Sequence, residues 1–266
     1  MKRLALAAAL ATTFTSPAFA GDGGVGRILT YTRSNIDGSV AETIHQYRPA
    51  PDRVLVTKRL EPCTNAALVT GEIDVASGEV RRIVAGRLNR EGGQDAFGDI
   101  VLDPAARRVD LTLRLPQGEI QLSVGVPDRP WMLYDFDLAD LNSLLPARAD
   151  PQADFSFGMA LLWPDGDPSE ALRYPGRLDA RLVGEETWRG RKALRFDVGG
   201  PAFDGGEGGQ LWIDAAGGYI LEARWSRPNH PGYRDFRMTL DDNRPGGDEA
   251  WTALMLSHWQ GCPPPG

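Results

Sequence analysis

Residues 109–124 read VDLTLRLPQGEIQLSV, two alternating runs on either side of a Pro-Gln-Gly break. In the first run every odd position from Val109 to Leu115 is apolar, and in the second run Ile120, Leu122 and Val124 are apolar. Apolar residues at every second position lie on one face of a β-strand. The stretch therefore predicts a hairpin with one buried face.

The same period of two recurs along the chain. It is clear in residues 194–198 and 234–240, and shorter candidate strands are residues 26–33, 42–47, 54–60, 67–74, 80–85, 100–102, 177–185 and 252–259. Turn-forming pairs such as Asp37-Gly38 and Ser77-Gly78 separate them. Many short strands joined by Gly and Pro turns predict a mainly β fold, a curved antiparallel sheet that forms a half-open barrel.

A second hairpin is predicted for residues 211–225, which read LWIDAAGGYILEARW. Gly217-Gly218 offers the positive φ that a tight turn requires. Asp214 ends the first arm, and we expect its carboxylate to cap the turn rather than to act in a site.

The segment from Trp131 to Trp163 departs from the alternating pattern. Asp137 is predicted to cap a short helix that Pro146 ends, so we expect a helical or irregular insertion at about residues 131–163. This segment concentrates aromatic and Met side chains, which suit an apolar ligand site beneath a lid as well as they suit an ordinary core. The candidate ligand-binding residues are Trp131, Met132, Tyr134, Phe136, Phe155, Phe157, Met159 and Trp163.

The first twenty residues have the pattern of an export signal. Lys2 and Arg3 precede a short apolar run, and cleavage is expected near Ala20. The run is too short to span a bilayer, so the sequence predicts a periplasmic or secreted protein with no stable membrane anchor. Residues 21–26 are predicted to be a flexible leader and residues 27–266 a single β-rich domain.

Charge argues against nucleic acid as a partner. The formal net charge of the whole chain is −7, and removing residues 1–20 takes away Lys2 and Arg3 but no acid, which leaves −9. An acidic surface repels nucleic acid and anionic headgroups. It does not oppose binding of an apolar ligand in a cavity.

Cys63 and Cys262 are the only cysteines. In an oxidising compartment the default is a disulfide between them. The sequence has no Cys-x-x-Cys motif, so a redox role for this pair is not indicated.

No familiar catalytic motif is present in the sequence. There is no Gly-x-Ser-x-Gly elbow, and the three histidines lie far apart in the chain. These patterns predict no catalytic residue, no metal and no cofactor. Two acidic clusters, Asp135-x-Asp137-x-x-Asp140 and Asp165-x-Asp167-x-x-Glu170, offer oxygens to a calcium ion but lack the full loop pattern. Calcium binding by these loops stays open.

Three strand-like motifs follow one another in the C-terminal half: GRKALRF at residues 190–196, GQLWID at 209–214 and GYILEA at 218–223. In this order they resemble the LolA/LolB-like superfamily of periplasmic proteins. The resemblance implies an antiparallel sheet curled into a half-open barrel, helices that plug its apolar mouth, and handling of lipids or lipoproteins. This chain departs from that group because strand-like residues, not a long helix, follow the leader, and no binding residue is carried over.

Three functions remain in view. The first is a non-enzymatic periplasmic protein that binds a lipid or other hydrophobic ligand under residues 131–163. The second is an interaction or assembly module with a filled core, whose partner would be another envelope protein. The third is an exported hydrolase whose carboxylates a sequence alone cannot pair.

Overall fold

The computed structural model describes residues 24–116, 118–163 and 167–263. The expected signal segment, the Gln117 turn position and residues 164–166 therefore lie outside the described part of the chain. In the described part neither helix has the length and hydropathy needed to cross a membrane.

The fold is mainly β, as predicted, and consists of one sheet of fifteen strands that does not close into a barrel. The strands are β1 (Arg27–Ser34), β2 (Glu42–Ala50), β3 (Arg53–Arg59), β4 (Ala67–Ile73), β5 (Val80–Leu88), β6 (Gln94–Asp103), β7 (Arg108–Leu115), β8 (Gly118–Gly125), β9 (Trp131–Leu133), β10 (Phe155–Leu162), β11 (Leu172–Trp188), β12 (Arg191–Gly199), β13 (Gly209–Asp214), β14 (Ile220–Trp225) and β15 (Phe236–Pro245). The helices are α1 (Ala139–Leu144) and α2 (Asp248–Ser257), and four single 3-10 turns lie at Tyr134–Phe136, Leu145–Ala147, Pro168–Glu170 and Pro201–Phe203.

The sheet has two halves, β1 to β8 and β9 to β15, which meet where the first strand pairs with the last. The strand order runs β8-β7-β6-β5-β4-β3-β2-β1-β15-β14-β13-β12-β11-β10-β9. All neighbours pair antiparallel except β9 and β10, which are parallel. The first and last strands, β1 and β15, are therefore paired in the middle of the sheet.

The hairpin at residues 109–124 forms as predicted. Val109 pairs with Val124 and Leu111 with Leu122, and the side chains of Val109 and Leu111 are buried. On β8 the apolar positions are only half-buried, since this strand is an edge of the sheet.

Residues 134–147 are mostly buried against the sheet and are called the plug. Asn142 of α1 fixes it to both halves of the sheet. Its Nδ2 donates to Tyr31 Oη (3.0 Å) and Gln46 Oε1 (2.7 Å), and its Oδ1 accepts from the backbone N–H of Ile220 (2.7 Å). One hydrogen-bonded amide thus ties β1, β2 and β14 to the same helix.

The insertion expected at about residues 131–163 is shorter than predicted. Trp131–Leu133 is β9 and Phe155–Leu162 is β10, so only the middle of the segment is helical or irregular. Five consecutive residues of β10, from Phe157 to Leu161, are buried. A strand buried on both faces loses its alternation, which is why the apolar run resembled part of a lid.

The C-terminal segment also differs from its prediction. Residues 252–259 were expected to form a strand, but most of them belong to α2. Trp251 and Met255, four residues apart, lie on one face of α2, which packs in a small second core. There Trp251 stacks on Tyr47, with ring centroids 5.5 Å apart. Cys63 and Cys262 form the predicted disulfide, which fastens the end of this segment to the loop after β3.

The turn of the second hairpin is built as expected. Asp214 Oδ1 accepts hydrogen bonds from the backbone N–H groups of Ala216 (3.1 Å) and Gly217 (2.7 Å). Gly218 supplies the positive φ of +69°. At the described end of the predicted leader, Val25 bridges to Arg48 and Gly26 N–H donates to the Arg48 carbonyl (2.8 Å).

Candidate functional site

Most of the predicted ligand-binding side chains are packed in the core. Six of the eight are at most 2% exposed: Trp131, Met132, Tyr134, Phe136, Phe157 and Met159. Tyr134 contacts the rings of Trp225 and Phe236, with centroids 5.8 and 5.2 Å away. A void between the plug and the β1–β3 wall measures only about 10 Å³, room for about one water molecule. The space beneath the plug at this wall is therefore filled by protein.

The other two predicted residues, Phe155 and Trp163, are half-buried. Phe155 meets the Phe196 ring edge-on (5.2 Å), and the Arg148 guanidinium lies 3.9 Å from its centroid. Trp163 lies in a surface groove of about 450 Å³. This volume falls in the range of small-molecule sites.

The groove has an apolar floor and a polar rim. Its lining residues are Leu161, Trp163, Arg173, Phe203, Asp204, Ser226, Arg227 and Pro228. Leu161 and Phe203 are buried beneath it, whereas Ser226 at its edge is exposed. Such a surface accepts a ligand with an apolar body and a polar end.

Each arginine of the rim has a local acceptor. Arg227 Nη2 pairs with Asp204 (2.9 Å), and Arg173 Nε donates to the Glu170 carbonyl (2.7 Å). Asp204 is the one carboxylate among the described residues that line the groove. Glycoside hydrolysis needs two facing acids, so the described lining does not supply that pair.

A buried ionic cluster lies at the tip of the plug. The Asp137 carboxylate, with no exposed surface, accepts from Arg33 Nη1 (2.9 Å) and Asn229 Nδ2 (2.9 Å), and Lys58 Nζ lies 2.9 Å from its other oxygen. Arg33 also pairs with Glu42. Three distant segments thus converge on one aspartate.

Asp137 does not cap α1 as the sequence predicted. It lies at φ +49°, ahead of Leu138 at φ +58°, and its side chain points to the wall of the sheet. The partners of Asp137 on β1 and β3 are far away in sequence, so a local reading could not find them.

Opposite charges dominate the electrostatics of the cluster. Burial alone would raise the pKa of Asp137, but the charges of Arg33 and Lys58 outweigh burial and hold that pKa far below its usual range. The pKa of Lys58 is raised, because Asp135 and Asp137 overcome the burial that would lower it. Both groups are therefore charged at neutral pH.

The solvent side of the cluster is formed by Asp135 and His230. His230 Nε2 lies 2.5 Å from Asp135 Oδ1 and 3.3 Å from Lys58 Nζ. The Asp135 and His230 side chains are 20% and 26% exposed. The charges are already matched by side chains, which indicates a structural anchor for the plug.

A single loop connects the groove with the ionic cluster. Ser226, Arg227 and Pro228 line the groove, and the next residues, Asn229 and His230, enter the cluster. The Arg227 carbonyl also accepts from Tyr134 Oη in the core (2.6 Å). The β14–β15 loop is therefore held from both sides.

The acidic loops considered for calcium are accounted for in part. Asp135 and Asp137 are engaged by Lys58, Arg33 and His230, and the described residues contain no group of three or more His, Cys, Asp or Glu side chains placed to hold a metal ion. Asp165 lies outside the described residues. Asp167 accepts from the backbone N–H of Ser169 (2.9 Å), which is ordinary turn chemistry.

No protein-family model matches this sequence, and a search of curated proteins finds no significant relative. The groove and the ionic cluster are therefore interpreted from their own geometry.

Proposed function

We propose that this chain is an exported, periplasmic or secreted, non-enzymatic protein that binds a lipid-like amphipathic ligand in the groove beside Trp163 and Phe203. The observation that carries the proposal is the groove itself, about 450 Å³ over an apolar floor with a polar rim. The apolar part of the ligand would lie on Leu161, Trp163 and Phe203, and its polar end would meet Arg173, Ser226 or Arg227.

Two features support export. The first twenty residues have the pattern of a cleaved signal, and the cysteine pair is bridged as is usual for proteins in oxidising compartments. The resemblance of residues 190–223 to the LolA/LolB-like group agrees with lipid handling. The proposal differs from the sequence interpretation in its site, since the ligand lies in a surface groove and not beneath the plug.

The test is uptake of a fluorescent fatty acid by purified protein, together with native mass spectrometry for co-purified lipid. Ser226→Trp places a large side chain at the groove edge, and we expect it to weaken probe binding at least tenfold. Ser257→Trp, at the end of α2, is the matched control. Both serines are exposed, and both donate to a backbone carbonyl, Ser226 to that of Glu207 and Ser257 to that of Leu254. Absence of probe uptake by the wild-type chain, or equal uptake by the Ser226 variant, would count against the groove.

A second function is favoured by one observation, the packed space beneath the plug. An envelope assembly module with a filled core needs no ligand and works through its outer surface. Pull-down from an envelope extract in which the wild-type chain retains a defined partner, combined with no lipid uptake, would favour this second function over the first.

A further inference from the structure

Two arginines lie directly opposite each other on the outer face of the sheet. Arg224 on β14 and Arg237 on β15 are cross-strand partners. Like charges at this separation, about 5 Å between Cβ atoms, destabilise a sheet unless something compensates them. The arrangement therefore calls for an anion.

Glu222 compensates one of the two charges. Its Oε1 accepts from Arg224 Nε (2.6 Å) and from Arg237 Nε (2.8 Å), while its Oε2 accepts from Trp188 Nε1 (2.9 Å). The Glu222 side chain is 2% exposed, so it is fixed below the surface. Burial would raise the pKa of Glu222, but hydrogen bonds from Arg224 and Trp188 and the nearby arginine charges lower it. It is a permanent anion beneath two cations.

The two guanidinium groups are fixed in position, but not all of their hydrogen-bond donors are used. Both use Nε to reach Glu222, and no hydrogen-bond partner of their terminal nitrogens is found in the part of the chain that the structure describes. Arg224 is further fixed over the Trp212 ring, 5.1 Å from its centroid. The Arg224 and Arg237 side chains are 40% and 27% exposed, so their forks are open to solvent.

The surrounding charges leave this patch positive. The nearby Glu186 is engaged by Arg195 Nη1 (3.6 Å) and by Trp212 Nε1. Asp235, two residues before Arg237, is engaged by Arg234 Nε (3.6 Å) and by the backbone N–H of Ile36 (2.6 Å). Asp197 lies in the same row but two strands from Arg224, about 10 Å at normal strand spacing. One positive charge is thus left without a close counter-charge, in a chain of net charge −7.

We propose that Arg224 and Arg237 form a binding site for a phosphate group, carried by a lipid headgroup or free in solution. Because both guanidinium groups donate Nε to the same Glu222 oxygen, they lie close together, and together they offer more donors than one planar carboxylate can accept, whereas a tetrahedral phosphate has oxygens for both. Glu222 and Trp212 fix the two forks before the ligand arrives, which reduces the entropy cost of binding. None of these residues lines the groove, and the site does not depend on the function proposed for the groove.

The experiment follows the side-chain Nε–Hε signals of both arginines by NMR while inorganic phosphate is added at constant ionic strength. We expect saturable shifts at both signals, with sodium chloride as the non-specific control. Arg224→Gln and Arg237→Gln should each weaken phosphate binding about tenfold, the loss of roughly one charge-assisted hydrogen bond. Arg244→Gln, an exposed arginine on the same strand as Arg237, is the matched control and should leave binding unchanged.

A further variant and a second probe complete the test. Arg224→Lys keeps the charge but removes the fork, and we expect weaker binding at an unchanged melting temperature.

Dihexanoyl phosphatidic acid, a short soluble lipid, is then competed with inorganic phosphate. Mutual displacement supports a phosphate site open to both sources, and a large preference for the lipid assigns the site to headgroups. Shifts that chloride reproduces, or an unweakened shift of the remaining arginine signal in each glutamine variant, would overturn the proposal. Arg237→Gln should leave fatty-acid uptake in the groove unchanged, so failure of the groove and failure of this site are distinguishable.

Discussion

Asp137 is the residue on which most buried charge depends. Replacing it with Asn would leave Arg33 and Lys58 buried beside a neutral amide. Removing one partner of a buried ion pair costs about 3–5 kcal/mol, so we expect Asp137→Asn to lower the free energy of unfolding by about that amount in urea titrations.

The matched control for this prediction is Asp110→Asn. Asp110 pairs with Arg108 at the surface, where both side chains are more than two-fifths exposed, and such pairs contribute at most about 1 kcal/mol. A loss of less than about 1 kcal/mol for Asp137→Asn would mean that the cluster does not stabilise the plug.

Asp140 predicts an unusual dependence of stability on pH. Burial raises the pKa of Asp140 to about 7, against hydrogen bonds from the backbone N–H groups of Leu133 and Leu141 that lower it. The folded state therefore keeps a proton that the unfolded state releases near pH 4. Stability from this group is full below pH 4 and falls as the pH rises to 7, by up to about 4 kcal/mol. Carboxyl ¹³C NMR should show one aspartate titrating near pH 7, and Asp140→Asn should remove this slope; a midpoint near 4 would contradict the prediction.

His45 gives stability the opposite dependence on pH, a rise as the pH increases. Burial, aided by the charges of Arg59 and Arg244, lowers the pKa of His45 to about 4. The folded state holds this ring neutral, whereas the unfolded state protonates it below about pH 6.5. Stability should therefore rise between pH 4 and 6.5, by up to about 3 kcal/mol. In an Asp140→Asn background the rise should be visible in urea titrations, and it should be lost when His45→Gln is added.

Residue-scale predictions from the sequence succeeded where the partner was near in the chain. Asp214 caps its turn by accepting from backbone N–H groups two and three residues later, so the local sequence was enough to predict its role. Asp137 bonds to Arg33 and Asn229, each about a hundred residues distant, and was misread as a helix cap. The Arg224–Arg237 pair was missed although the two residues are near in the chain, because the sequence does not give the register between β14 and β15.

At the scale of elements, period-two alternation identified strands that have one buried face. It failed for β10, which is covered on both sides, and for α2, whose sequence TALMLSHW also suits a strand. The signals for α2 were Gly246-Gly247 before it, acids in its first turn, and the i, i+4 pair Trp251 and Met255. Only the tertiary contact with Tyr47 selects between the two forms.

The disulfide predicts how α2 responds to reduction. Cys63 and Cys262 are 199 residues apart, and the chain-entropy model allows at most roughly 5 kcal/mol for a loop of that length. We expect reducing agent to lower the melting temperature and to increase hydrogen exchange first in α2. The Cys63→Ser, Cys262→Ser variant should match the reduced protein and be insensitive to reductant. An unchanged melting temperature would show that α2 is held by its packing alone.

At the scale of the whole molecule, the sequence predicted a mainly β fold and a curved antiparallel sheet, and the structure confirms that class. It could not predict the strand order, because pairing of β1 with β15 joins residues more than two hundred positions apart. Nor could it separate a ligand cavity from a core. The aromatic residues of the plug suit both, and only the positions of Trp225 and Phe236 show that the space around Tyr134 is occupied.

The pairing of the first strand with the last also constrains how the protein can assemble. β1 lies about two hundred residues before β15, so β1 to β8 can pair as a meander before the second edge of β1 is paired. Contacts so distant in sequence slow folding, because a long loop must close before they form. A chain that stops before Phe236 would expose two open strand edges, on β1 and on β14, and such edges promote aggregation. Residues 236–245 therefore decide whether the two middle edges of the sheet are covered.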